Sequence, residues 1–332
     1  MIDEQLSEKI KIAGGICTVM VVFRHSLNHI AFWGQWNPNS ISGFIEGGIS
    51  TLTEVAVPLF FTISGFFFFS KTYYPLNSYL KMITKKIKSL IIPFLIWNFV
   101  GALILIVTHK FTYENSLFDY FVTLLRSDWY GPLWYIRTLV IFMLAYPSYG
   151  WIACCNSTQL YFACLLIALY FWIPVDCNWI STEGILFFLI GGYLSQRHSM
   201  TKIHISGYTV TIMFFIWIIL CFIHPFWGKN IWKFNTILGI FIFWQMIDFI
   251  PSKWRTKLLS IASYSFFIFV NHFYLLKSMK VTLASIFPQN EIVALSAYFL
   301  LPLITIIILF YIGKCWYKHY PTSYLFVTGG RR

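Results

Sequence analysis

Acidic side chains are scarce in this chain of 332 residues, which carries 12 Asp and Glu against 24 Lys and Arg. Charge of either sign makes up only 11% of it, far below the roughly 25% of a soluble globular domain. No long polar stretch interrupts the apolar runs, so no separate soluble domain is expected. A disulfide framework and a zinc-ligand spacing are also missing. The seven cysteines, Cys17, Cys154, Cys155, Cys164, Cys177, Cys221 and Cys315, fall in or beside apolar runs, where packing is the expected role. The first residues carry both signs and enter an apolar run with no small-residue cleavage site, so a retained span is expected in place of a signal peptide. No internal repeat or low-complexity tract is visible.

What remains is 58% hydrophobic and 21% aromatic, the composition of a polytopic membrane protein. At about 20 residues per crossing, spans fall near 10–30, 49–69, 89–108, 130–148, 158–174, 181–196, 207–224, 232–250, 260–276 and 292–312. The expected fold is an all-α transmembrane bundle of about ten spans, forming a single integral domain over residues 1–332. With the amino terminus inside, the inner segments gather most of the basic residues, among them Lys81, Lys85, Lys86 and Lys88, Lys202, and Lys253, Arg255 and Lys257. That bias places both termini in the cytoplasm. It also accounts for the net charge of +12 without a nucleic-acid partner.

Ionisable residues inside such spans are costly unless they face a bundle interior, a partner or a cavity. The first is His25, where Cys17-Thr18-Val19-Met20-Val21-Val22-Phe23 runs into Arg24-His25-Ser26. Two readings stand beside a functional one: a place among headgroups, and a bond to a nearby backbone carbonyl. Arg24 is expected to snorkel on its apolar stem, although Glu54 offers a carboxylate to it or to Arg137. Residues 31–48 and 109–129 read as outer loops. In the phenylalanine-rich second span, Ser64-Gly65 admits close approach of another helix or a ligand, and Ser64 is expected to bond back to its own helix. Lys81, Lys85 and Lys88 share a helical face by their spacing; they read as a lipid anchor, as a site for a phosphate-bearing donor, or as both. Arg137 should seek a carboxylate, a carbonyl or a ligand. Asn271-His272 supplies a second intramembrane histidine, and the basic, aromatic tail from Lys314 is expected at the membrane surface.

Taken in order, these pieces resemble the acyltransferase-3 family of membrane O-acyltransferases. The resemblance is carried by the helix ending in His25, by Val57-Pro58-Leu59-Phe60-Phe61-Thr62-Ile63-Ser64-Gly65-Phe66, and by Lys86-Ile87-Lys88 with Ile92-Pro93-Phe94 and Trp97. Gly131-Pro132-Leu133-Trp134-Tyr135, Phe187-Phe188-Leu189-Ile190-Gly191 and Ser263-Tyr264-Ser265 with His272 complete it. The chain departs from the family pattern at Gly14, where an Arg or Lys usually stands eleven positions before the histidine. Lys11, the nearest substitute, lies about 21 Å from His25 along an ideal helix, against about 16 Å for the usual spacing. The tryptophan motif also lacks the histidine often found beside it.

The resemblance implies acetyl-CoA or another acyl-CoA as donor and a hydroxyl of a cell-surface or lipid-linked glycan as acceptor. It implies no metal, and a place in the bacterial cytoplasmic membrane. On that basis His25 is the expected general base, with Ser64 and Arg137 orienting the acyl group or stabilising its developing charge. Lys11, Lys81, Lys85, Lys86 and Lys88 are expected to hold CoA phosphates, and Glu54, Trp134, Tyr135 and His272 to meet the substrate. A transporter or flippase using the same intramembrane Arg, His and Glu residues is the competing class, and a non-catalytic assembly partner the third. Acceptor, acyl length and oligomeric state are not legible.

Overall fold

The structure is a computed structural model that describes residues 4–71, 73, 76–114, 116–154, 158–175, 180–197, 205–223 and 229–332. It is 83% helical, and no strand occurs among the described residues. The expected all-α class therefore stands. Cys155, Cys177 and Lys202 lie outside the described residues.

Helix occupies most of the described residues in each stretch read as a span. Three helices are long and apolar enough to cross a membrane, Ile41–Phe69, Leu76–Val107 and Glu291–His319. A fourth joins them if the pair Trp232–Phe249 and Ser252–Ala262, bent by 120°, is one span. Among the described residues, three or four helices are thus long and apolar enough to cross a membrane, as in a membrane protein, and this does not establish ten spans.

The chain divides into two compact units. Unit 1 comprises Met1–Phe60 and His198–Lys314. Its first helix, α1 (Glu4–Arg24), packs on α3 (Ile41–Thr53), α15 (Ser252–Ala262) and α16 (Ser265–Ile286), while α2 (His29–Trp33) rests on α16. Close by, α13 (Gly207–Ile223) packs on α3 and α14 (Lys229–Met246), burying Val55, Trp217, Cys221 and Ile242 together. Buried Cys17 and Cys221 pack in this unit, as expected, and Cys315 is exposed. Ion pairs fasten α1 at its amino-terminal end: Lys9 to Asp248 at 2.6 Å and Glu8 to Arg255 at 3.4 Å.

Unit 2 comprises Phe61–Arg197 and Cys315–Arg332. It holds the part of α4 (Ala56–Phe69) that begins at Phe61, then α5 (Leu76–Lys86), α6 (Ile92–Val107), α7 (Leu117–Arg126), α8 (Trp134–Leu144), α9 (Tyr146–Tyr149), α10 (Trp151–Cys154), α11 (Thr158–Trp172) and α12 (Thr182–Arg197). Lipid supplies little hydrophobic drive between helices, so association rests on close packing. Here two glycines provide it. A Cβ on Gly65 would sit 2.0 Å from the Phe188 carbonyl oxygen, and one on Gly191 would sit 2.0 Å from the Thr62 carbonyl oxygen. The Ser64-Gly65 pair therefore admits α12, backbone to backbone. The helices α17 (Glu291–His319) and α18 (Pro321–Val327) close the chain, and α18 packs on α6.

Three expectations change. The first outer loop, 31–48, contains α2 and the start of α3, which Ser40 caps by accepting from the Gly43 N–H at 3.0 Å. The second, 109–129, contains α7: Ser116 accepts from the Asp119 N–H at 3.2 Å, while Asp119 and Arg126 lie at the ends that their charges suit. Mixed charge there marks helix ends, not a loop. The ninth span, 260–276, is broken between α15 and α16, because Ser263 turns its hydroxyl onto the Leu259 carbonyl at 3.0 Å and Tyr264 leaves helical geometry.

Candidate active site

In unit 1 the helix α1 ends at Arg24, and His25 folds back on it. The ring Nδ1 lies 2.9 Å from the Val21 carbonyl oxygen, one of the carbonyls a helix end leaves under-used. Since a carbonyl only accepts, Nδ1 carries the proton, and Nε2 of the neutral ring presents its lone pair. Phe273 meets the ring edge-on, with centroids 5.6 Å apart.

A second histidine completes the arrangement. His272, on α16, is fully buried. Its Nδ1 lies 2.6 Å from the Phe269 carbonyl oxygen, so that nitrogen is the donor, and its Nε2 lies 3.3 Å from His25 Nδ1 as an acceptor. The proton on His25 Nδ1 is thus shared between Val21 and His272. Should Nε2 take up a second proton, Val21 and His272 would both still accept from Nδ1–H.

The segment after His25 is clamped by opposite charges. Lys280 Nζ donates to the His25 carbonyl at 3.2 Å and the Leu27 carbonyl at 2.7 Å. The buried Glu46 carboxylate accepts the neighbouring N–H groups of Asn28 and His29, at 2.9 and 3.0 Å on the same oxygen. Ser26 donates to the Tyr298 carbonyl at 3.3 Å. Backbone donors and acceptors that a buried turn would otherwise leave unmet are satisfied here by charged groups. Glu46 and Lys280 carry no such role in the sequence reading. Lys280 could have been found, since it follows His272 by two helical turns on α16.

Arg24 does not snorkel. Its guanidinium reaches Glu54 at 2.6 Å and the Ser50 hydroxyl and carbonyl at 2.7 and 3.0 Å. Glu54 is thereby committed to Arg24, leaving Oε2 without a partner. Lys11 is exposed on α1.

In unit 2, Ser64 does not bond back to its own helix. Its hydroxyl lies 2.9 Å from the Tyr135 hydroxyl on α8, and Phe61 packs its ring edge on Tyr135 with centroids 4.7 Å apart and on Trp134 at 6.0 Å. Arg137 finds a carbonyl, donating to Arg126 at 2.5 Å. Among the lysines, Lys81, Lys85 and Lys88 are exposed and Lys86 is half-buried. A π turn, Ile87–Ile91, which contains Lys88, joins α5 to α6. Among the described residues, no cluster of three His, Cys, Asp or Glu could hold a metal ion.

Residues 10–312 match the model of a family described as an acyltransferase domain, acyltransferase-3. No curated protein and no solved structure matches the chain.

Proposed function

We propose, for a chain that belongs to the acyltransferase-3 family, that it transfers an acyl group, by default acetyl, from acyl-CoA to a hydroxyl of a cell-surface or lipid-linked glycan, with His25 as general base. The observation that carries this reading is the His25 ring itself, whose Nδ1 proton is tied to Val21 and whose Nε2 is left to accept.

The chemistry balances with this residue alone moving the proton. Nε2 takes the acceptor's hydroxyl proton as the oxygen attacks the thioester carbonyl carbon. The carbon–sulfur bond then breaks, and the imidazolium returns its proton to the departing thiolate. His272 receives the hydrogen bond that strengthens while His25 is charged. His272 thus acts on His25 and not on substrate. Ser64 and Arg137 are assigned to the acyl group, Trp134 and Tyr135 to the substrate, and the lysines of α5 and the π turn to the CoA phosphates. Ten spans, both termini in the cytoplasm and the bacterial inner membrane complete the reading. Many transporters carry corresponding broken helices in two halves, and the described residues hold one bent pair.

The test is release of CoA thiol from acetyl-CoA by the purified protein in lipid. Wild type should show slow turnover and His25→Ala a loss of about 10²–10⁴-fold, the worth of a positioned base. Turnover that survives in His25→Ala removes the base assignment, and absence of donor binding by wild type removes the acyl-CoA reading.

A further inference from the structure

Unit 2 contains a helix, α7, that none of the expected spans includes. The crossing helix Leu76–Val107 keeps Phe99, Leu103, Ile106 and Val107 exposed down to its end, and α7 begins soon after, at Leu117. With 10 residues it is too short to cross a bilayer. It therefore lies along the membrane surface or stands clear of it.

The side chains of α7 decide between the two. At about 100° per residue they fall into three faces, each about a third of the way round the helix. The first is fastened to protein. Tyr120 sets its ring beside Phe111 and Trp129, with centroids 6.4 Å from each, Thr123 donates to Glu114 Oε1 at 2.9 Å, and Leu124 is half-buried. Trp129 in turn rests on α6 at Gly101, where a Cβ would stand 2.6 Å from the Trp129 carbonyl oxygen. The second face is polar and exposed, with Asp119 and Arg126. The third is Leu117, Phe118, Phe121 and Leu125, large apolar side chains with 40–88% of their surface exposed.

A surface helix surrounded by water has use for the first two faces only, and the third would be a liability there. A helix that rests on protein at the boundary of lipid and water has use for all three. The apolar face also continues the exposed apolar side of the crossing helix that α7 follows. We propose that α7 lies in the plane of the membrane, with Leu117, Phe118, Phe121 and Leu125 among lipid acyl chains and Asp119 and Arg126 in water. The attraction is apolar. Helices drawn to anionic headgroups carry many Lys and Arg on the polar face, whereas α7 has one basic residue, Arg126, paired with Asp128 at 3.3 Å.

Electron paramagnetic resonance of the full-length protein in phosphatidylcholine vesicles tests this. A nitroxide carried on p-acetylphenylalanine, which leaves the native cysteines unlabelled, takes the place of Leu117, Phe121 or Asp119 in turn. All three positions are exposed, so packing stays as it is. Relative to a water-soluble nickel chelate, oxygen should reach the labels at Leu117 and Phe121 several-fold more often than the label at Asp119, at a depth of about 5–10 Å. Adding phosphatidylglycerol should leave that depth unchanged. Nickel access at Phe121 equal to that at Asp119 places the face in water and overturns the proposal. Loss of access to both reagents means that a second copy covers the face, which overturns it too, and a depth reached only with phosphatidylglycerol overturns its apolar basis. Access is read and not turnover, so the outcome is separate from the acyl-CoA chemistry.

Discussion

Unit 1 and unit 2 hold their charged side chains in different ways. In unit 1 opposite charges are set against each other or against one short segment: Arg24 on Glu54, Lys9 on Asp248, and Lys280 and Glu46 on the carbonyls and amides that follow His25. In unit 2, Arg137 and Arg331 donate to backbone carbonyls, Arg126 pairs locally with Asp128 at 3.3 Å, and glycine lets α4 and α12 meet backbone to backbone. A base needs a fixed, neutral ring with compensated surroundings, and unit 1 supplies them.

The largest effect that would sharpen this contrast is Gly65→Ala. One methyl would enter the Phe188 carbonyl at 2.0 Å, and backbone cannot retreat as a flexible side chain can. Overpacking of this kind costs about 1–3 kcal/mol or more, so the variant should fail to give a monodisperse peak by size exclusion. A well-behaved Gly65→Ala protein with wild-type melting would show that α4 and α12 do not depend on this approach.

His272→Phe comes next and keeps a planar ring at a fully buried position, and melting of the variant is read beside its kinetics because a larger ring in a packed site costs stability. It removes one acceptor of the His25 Nδ1–H and leaves Val21 in place. The expected result is a fall of about tenfold in kcat, the worth of about one hydrogen bond, with KM for acetyl-CoA unchanged. His272→Gln, which restores an accepting oxygen, should recover most of it. A change in KM alone would return His272 to a substrate-binding role.

These residues also show what a chain of this composition reveals unaided. The apolar run into Arg24-His25 was legible because an ionisable pair inside lipid calls for an explanation, and Glu54 was legible as a carboxylate within reach of it. Ser64 was misread: local bonding is the default for a helical serine, and Tyr135 is supplied only by tertiary packing. Counting threes and fours puts Lys81, Lys85 and Lys88 on one face, and that count cannot show the π turn that begins at Ile87. The tail read as a basic surface segment because the Ser89 carbonyl, to which Arg331 donates, is 242 positions away. Charges that meet neighbours in sequence or on one helix face can be inferred from spacing, whereas those that meet a distant carbonyl cannot.

The smallest effect bears on how the donor is held. At Gly14, the position where the family usually places a basic residue, a Cβ would find only Phe60 Cε1 at 3.9 Å, ordinary van der Waals distance. Space alone therefore does not explain the glycine. Gly14→Leu should raise stability by about 0.5–1 kcal/mol through helix propensity and leave KM for acetyl-CoA unmoved. Gly14→Arg should add the same helical gain and lower that KM by no more than about fivefold, since one partly screened charge contributes about 1 kcal/mol at most. Such a gain would mean that unit 1 can still take part in holding the donor and that this chain has given up one of its cations. An unchanged KM in Gly14→Arg, beside a raised one in Lys86→Gln, would mean that donor binding has passed to unit 2 alone, with unit 1 left to move the proton.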